Sequence, residues 1–261
     1  MEVVHVPVLS DNYAYLLIDR NQRIAAAIDP VEPEKVVAAA KAQNVQIRMI
    51  LTTHSHWDHA GGNEALRDLI KAHEGVDIPV IGGNDDNVPA VTREVGHDEH
   101  IQLGSLDIRV LHTPCHTRGH VLYLCDDVLF TGDTLFIAGC GRFFAGTPAE
   151  MHHALNEVVA PLRLKTKIYC GHEYTYSNLR FAAHVEPENE AVQKKLAWAK
   201  AQQEANLPTI PSTIGDELET NPFMRVNKPA VQKFTGAHDS VDVMRELRAA
   251  KDQFGIGKGK I

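Results

Sequence analysis

The stretch LTTHSHWDHAGG, residues 51–62, places His54, His56, Asp58 and His59 within six positions at the end of an apolar run. Crowding polar, titratable groups there does nothing for packing. In an extended segment, side chains two apart point to the same side. His54 and His56 therefore converge, while Ser55 and Trp57 face away. Asp58 and His59 are neighbours, which a strand would send to opposite sides, so the spacing predicts a turn there that opens the following helix. Four ligands so arranged fit one tetrahedral ion poorly. They fit two neighbouring ions better, the histidine pair on one and the Asp–His pair on the other.

Two ions need more ligands, and three residues elsewhere have the right context. His116 lies in HTPCHTRGH after LDIRVLH, Asp133 lies in LFTGDTLF after VLF, and His172 lies in IYCGHEY after KIY. Each follows a strand-like segment with glycine or proline nearby, and α/β architectures place their sites outside strand ends. Asp133 can bridge, having two carboxylate oxygens. Five histidines and two aspartates suit zinc, iron or manganese better than calcium or magnesium. A structural zinc site would favour a cysteine-rich set, and Cys115, Cys125, Cys140 and Cys170 lack that spacing. They are expected to be buried thiols in a reducing compartment. The other ten of the fifteen histidines are expected to play no ligand role. His112 and His120 flank the His116 segment as candidate hydrogen-bond partners of ligands, and His152 and His153 are expected at the surface. Asp29, ending a strand in AIDP, is a candidate to orient a ligand.

Working outward, EVVHVPVL, YAYLLID and RIAAAIDP read as strands parted by the turn signals SDN and RNQR. EPEKVVAAAKAQN reads as an amphipathic helix, VQIRMILTT as the strand that delivers the histidines, and GNEALRDLIKAHE as another helix. DIPVIGG, HIQLGSLDIRVLHTP, HVLYLCDDVLFTGD and KIYCGHEY are further strands, with hairpin turns at LGSL and CDDV. In GTPAEMHHALNEVVAPLR, Thr147 is placed to cap a helix, Pro148 to start it, and Glu150 to complete a capping box. From about residue 175 strand signals nearly vanish. PENEAVQKKLAWAKAQQEAN and SVDVMRELRAAKDQF read as helices, the second capped by Ser240, joined by the proline-punctuated LPTIPSTIGDELETNPFMRVNKP. The tail GIGKGKI is expected to be loose. The expectation is thus an α/β domain over 1–173 followed by a smaller helical domain over 174–261.

The 261 residues, 44% of them apolar, can bury a full core, and the net charge is −8 with histidine neutral. There is no basic stripe of the kind a nucleic-acid binder carries and no apolar run long enough to span a membrane. The start lacks a basic region followed by a long apolar one, so no secretory signal is expected. Cytoplasm and a monomer are the default expectations. An anionic substrate would have to be held locally against the overall field.

THSHWDH resembles the HxHxDH signature of the metallo-β-lactamase superfamily, whose fold is an αββα sandwich with the metal site at one edge of the sheets. TPCHTRGH, FTGDTLFIAGCGRFFAGT, YCGHEYT, NPFMR and RAAKDQF extend the resemblance over essentially the whole chain to the glyoxalase II (hydroxyacylglutathione hydrolase) family. That resemblance implies hydrolysis of S-D-lactoylglutathione to D-lactate and glutathione, the second step of methylglyoxal detoxification. It implies two divalent ions, zinc foremost with iron or manganese as alternatives. One would take His54, His56 and His116, the other Asp58, His59 and His172, with Asp133 bridging. Water shared by two such ions loses a proton near neutrality and can attack the thioester, with Asp58 helping to hold it. The departing thiolate, from a thiol of pKa near ~8.5, needs no dedicated acid.

The resemblance also carries over substrate contacts. Tyr174 matches a tyrosine that contacts glutathione, and Arg248 and Lys251 match a basic pair that holds its glycine carboxylate. Arg248 and Lys251 are three apart and share a helix face. In GCGRFF, Arg142 stands where other members have lysine and Phe144 where they have tyrosine. Arg142 keeps the charge with different geometry, whereas Phe144 has no hydroxyl to donate. Rival readings on the same scaffold are a persulfide dioxygenase, which would use one iron, a β-lactamase, and a nuclease, which would want a basic groove. A non-catalytic metal-binding or glutathione-sensing module is the rival of a different class. The absence of GxSxG argues against a serine nucleophile.

Overall fold

Alternation along one strand shows how the layers form. In Asn12–Asp19, Tyr13, Tyr15 and Leu17 enter one core while Ala14, Leu16 and Ile18 enter another, as the period-2 geometry of a strand requires. The computed structural model describes residues 1–256. The first sheet holds, in spatial order, β1 (Glu2–Val8), β2 (Asn12–Asp19), β3 (Ile24–Ile28), β4 (Gln46–Leu51), β5 (Val80–Gly83) and β6 (Arg93–Val95). Its first two pairings are antiparallel and the next three parallel. Helices α1 (Pro33–Ala42) and α3 (Asn63–Glu74) cover its outer face through Val36, Ala40, Leu66 and Ile70. Between them in sequence lies a single turn of helix, α2 (Trp57–Ala60).

The second sheet builds from β7 (His100–Leu103), β8 (Leu106–His112), β9 (Val121–Cys125) and β10 (Val128–Gly132). After a small two-stranded excursion, β11 (Leu135–Phe136) and β12 (Gly139–Cys140), the sheet continues with β13 (Lys167–Cys170), parallel to β10. Both predicted hairpin turns are present, Leu103 facing Leu106 and Cys125 facing Val128. The two sheets meet through Tyr15, Leu17, Val110, Tyr123 and Phe130, which form the central core.

The outer face of the second sheet, with Leu111, Leu122, Leu129 and Ile168, is covered by helical residues from both halves of the chain, among them Met151, Leu155, Phe181, Met244 and Leu247. These come from α4 (Pro148–His152) with its π-helical continuation His153–Val159, α5 (Thr175–Val185) and α9 (Ser240–Ile256). The architecture is the expected αββα sandwich with helices appended. The box at Thr147 is present: its hydroxyl accepts from Glu150 N–H, and Glu150 accepts from Thr147 N–H at 2.8 Å. His152 is half-buried and His153 exposed. All four cysteines are buried and unpaired.

Three expectations need correction. The stretch 207–229 is not merely a connection after α6 (Glu190–Glu204). It holds β14 (Ser212–Thr213), which pairs with β13, then α7 (Ile214–Thr220) and a turn of 3₁₀-helix ahead of α8 (Pro229–Thr235). Glu217 explains this order: fully buried, it accepts from Lys195, Ser212 and the Ala138 amide, which ties the segment to the sheet edge. Ser240 does not cap α9. The Asp239 carboxylate accepts from the Val241 and Asp242 amides, and Ser240 bonds Asn227 instead. Finally, α9 runs through Ile256, and the remainder of the tail expected to be loose lies outside the described residues.

Candidate metal centre

Every residue of the predicted cluster follows the end of a strand. His54 and His56 follow β4, with Asp58 and His59 on α2. His116 follows β8, Asp133 follows β10 and His172 follows β13. The sheets are joined at this edge, where Tyr13 N–H donates to Gly171 C=O at 2.9 Å and Asn12 bridges to His172. Glycine makes the close approach possible. A Cβ on Gly171 would sit 2.5 Å from Asp133 Oδ1 and 2.6 Å from His59 Cε1. Gly132, at φ +46°, turns β10 so that Asp133 faces the cluster, a conformation glycine adopts without strain.

The structure brings all seven residues together. His56 Nδ1 is 3.1 Å from both His54 Nε2 and His116 Nε2. His59 Nε2 is 3.3 Å from His172 Nε2, which is 3.3 Å from Asp58 Oδ2. Asp133 lies between the two groups, Oδ1 at 3.2 Å from His59 Nε2 and Oδ2 at 3.4 and 3.5 Å from His172 and His116. Donor atoms in the sets His54–His56–His116 and Asp58–His59–His172 all lie within 4.8 Å of one another.

The surrounding hydrogen bonds decide which nitrogens face inward as lone pairs. His116 Nδ1–H donates to Arg142 C=O at 2.9 Å, His59 Nδ1–H to Asp29 Oδ2 at 3.0 Å, and His172 Nδ1–H to Asp11 Oδ1 at 2.9 Å. Thr53 Oγ1 spends its proton on Asp29 Oδ2, so it accepts from His54 Nδ1–H at 3.1 Å. The Nε2 of these four rings and the Nδ1 of His56 therefore face one another. Lone pairs at such separations repel unless a cation or a proton lies between them. Burial holds the His54 and His116 imidazoles below their ordinary pKa, neutral and ready to coordinate. Burial also opposes charge on His59 and His172, yet nearby carboxylates, Asp133 foremost, outweigh it and lift His172 to about 10. Asp133 Oδ1 is buried with no hydrogen-bond partner. A centre of convergent lone pairs and ionised carboxylates that demands positive charge fits divalent cations.

Asp29 is placed to orient His59. It sits in the left-handed region at φ 49° and accepts from Thr53 N–H, Thr53 Oγ1–H and His59. His120, fully buried, stacks on His54 with centroids 4.9 Å apart and accepts from Asp133 N–H. His112 Nε2 bonds Arg118 C=O instead. Sequence reading missed Asp11, Asn12 and Asp86. Asn12 Nδ2 donates to Asp58 Oδ2 at 2.9 Å, and Asp86 accepts from the Ser55 and Gly119 amides, clamping the loops of His54–His56 and His116 together. SDN was legible only as a turn, and Asp86 carried no local signal at all.

The cluster opens on a cleft of about 530 Å³ whose lining includes His116, Asp133, Arg142, Phe144, Tyr174, Arg248, Lys251 and Asp252. Tyr174 stacks on His172 at 4.6 Å. Phe144, exposed, lies against His116 and His56, with centroids 5.2 and 6.0 Å away. Arg248 and Lys251 reach the same cleft from α9. Arg248 Nη1 donates to Cys140 C=O at 3.1 Å, and Lys251 Nζ donates to Ser177 C=O at 3.3 Å.

Fold and cluster together define the class, and residues 13–172 match the family described as the metallo-β-lactamase superfamily. ETHE1 from Myxococcus xanthus shares that fold, with a TM-score of 0.69 and 22% identity over 97% of this chain and 90% of its own. Residues 173–254 match the hydroxyacylglutathione hydrolase C-terminus. The "Hydroxyacylglutathione hydrolase cytoplasmic" of Arabidopsis thaliana is 51% identical over 97% of this chain and 99% of that protein. The hydroxyacylglutathione hydrolase of Alkalilimnicola ehrlichii is 42% identical over 97% and 99%. The chain belongs to the hydroxyacylglutathione hydrolase family of the metallo-β-lactamase superfamily.

Proposed function

We propose that this chain hydrolyses S-(2-hydroxyacyl)glutathione thioesters, S-D-lactoylglutathione foremost, to the hydroxy acid and glutathione. The observation that carries this reading is one shared cleft. His116 and Asp133 of the cluster line it together with Arg142, Arg248 and Lys251, so a hydrolytic centre and a cationic anchor for an anionic thiol open on the same space. Family membership supports the same reading.

His54, His56 and His116 would hold one divalent ion and Asp58, His59 and His172 a second, with Asp133 between them; zinc is the first candidate, then iron or manganese. Such ions supply Lewis acidity at a carbonyl and make water acidic enough to attack near neutral pH. The chain does the rest. Asp58 is held ionised by His172 and Asn12, both through Oδ2, which leaves Oδ1 to accept a hydrogen bond from the attacking water. Arg248, Lys251, Arg142 and Tyr174 fix the glutathionyl part, and Phe144 walls the cleft beside His56 and His116. Water oxygen bonds to the acyl carbon as its proton passes to solvent, the C–S bond breaks, and sulfur leaves as a thiolate stable enough to need no acid, its thiol pKa being about 8.5. Residues 1–173 would carry the chemistry and 174–261 the substrate anchor, in a monomer acting in the cytoplasm. No described helix is long and apolar enough to cross a membrane.

The test is steady-state hydrolysis of S-D-lactoylglutathione, followed by loss of thioester absorbance, on metal-loaded and chelated protein. Metal-dependent turnover is expected. A loaded protein that leaves this substrate intact would overturn the proposal.

A further inference from the structure

Asp252 is the one carboxylate within ion-pair distance of both arginines in the cleft, among the described residues. Its Oδ1 accepts from Arg248 Nη2 at 2.8 Å and lies 3.7 Å from Arg142 Nε. The two arginines come from opposite sides. Arg142 follows β12 on the segment that leads from the metal cluster, whereas Arg248 and Asp252 are one turn apart on α9. Arg248 is 9% exposed, fixed by Cys140 C=O and by the Phe223 ring 5.6 Å away, and its buried Nε has no partner. The Arg142 side chain is 64% exposed, and Asp252 is its only ion-pair partner among the described residues.

An exposed arginine left to itself samples many rotamers, and fixing it on binding costs side-chain entropy. Two guanidinium groups and the Lys251 ammonium beside one another also repel. A single carboxylate between the arginines offsets both costs and leaves the cleft net positive. From this geometry we propose that Asp252 is a positioning residue for substrate binding: it holds Arg142 and Arg248 as a pre-formed pair facing the anionic end of the substrate. The inference rests on the reading of that substrate as a glutathione derivative. Asp252 touches no substrate itself. It acts through the arginines, Arg248 by the Nη2 contact and Arg142 by the Nε contact.

The experiment measures glutathione binding by titration calorimetry on the metal-loaded wild type, Asp252→Asn, Arg142→Ala and the double variant, with metal content recorded for each. Kinetics on S-D-lactoylglutathione run in parallel. Asp252→Asn is expected to weaken binding and raise KM about three- to fivefold, the scale of a partly exposed ion pair, while kcat changes less than about twofold and metal content stays at the wild-type level. In the Asp252→Asn background, Arg142→Ala should lose most of its effect, because the pair acts as a unit. Asp252→Glu should recover part of the loss. Unchanged or tighter binding by Asp252→Asn, or strict additivity of the two substitutions, overturns the inference. Wild-type protein that binds glutathione in an Asp252-dependent way but leaves the thioester intact would defeat the proposed reaction and not this inference. Wild-type turnover with Asp252-independent binding would defeat this inference alone, and wild-type protein that binds no glutathione defeats both.

Discussion

Asp29 Oδ2 lies 3.0 Å from His59 Nδ1 while Oδ1 of the same carboxylate accepts the Thr53 amide at 2.8 Å. One buried side chain thus fixes the tautomer of a candidate ligand and the backbone that presents His54 and His56. Asp29→Ala should weaken metal affinity about 10- to 100-fold, as loss of a ligand's orienting partner does. It should also cost about 1–3 kcal/mol of stability by orphaning buried donors. Chelator competition and thermal melts of metal-free protein measure the two separately. Unchanged metal affinity would mean that His59 is not a ligand.

Among the described residues, Asp133 is the carboxylate that faces both histidine groups. Asp133→Asn keeps its shape and removes its charge. Metal bound per chain should fall, and hydrolysis should drop by at least about a hundredfold, because the site loses the anion between its two halves. Elemental analysis beside the activity assay checks this. Full metal content with full activity would remove Asp133 from the ligand set.

Arg248→Ala should raise KM about 10- to 100-fold with a much smaller change in kcat, the pattern of an anchor that grips ground state and transition state alike. Because Arg248 also packs on Phe223, its melting temperature needs recording. Arg248→Lys should restore only part of the binding, since the planar fork is lost. A wild-type KM in the alanine variant would end the assignment.

Lys251 makes a prediction about pH. Burial, then the neighbouring Arg248 charge, pushes its ammonium down to about 8. The charge is present below that value and lost as pH rises through it, so KM should climb between pH 7 and 9 while the cation disappears. Lys251→Arg stays charged over the whole range and should flatten the profile. A wild-type KM that is level across that range, or a variant that follows the wild type, would show that the Lys251 charge takes no part in binding.

The candidate cluster was legible because its chemistry is local in type and repeated in context. His54 and His56 share a face by the alternation of an extended chain, and His116, Asp133 and His172 each stand just past an apolar run. The residues that position them were not legible in the same way. Asn12 belongs to a turn whose composition explains itself without any metal, and Asp86 sits in a loop with nothing to distinguish it from a solvated acid. Each acquires its role from a partner far along the chain: Asn12 meets Asp58 across 46 residues, and Asp86 meets Gly119 across 33. Likewise, TIPST carried no strand signal of its own. Ser212 and Thr213 become a strand only because the edge of β13 offers unpaired backbone groups.

By itself the sequence determined the period of the main strands and helices, the identity of the seven candidate ligands and the cationic residues on the last helix, since all of these follow from side-chain chemistry and short-range spacing. Only the tertiary structure decided which ligand nitrogens face inward, that β2 and β13 are stitched together at the cluster, and that Arg142 and Arg248 share Asp252. Those features depend on hydrogen bonds between strand ends and helices remote in the chain, and such partners exist only once the two sheets and their covering helices have packed.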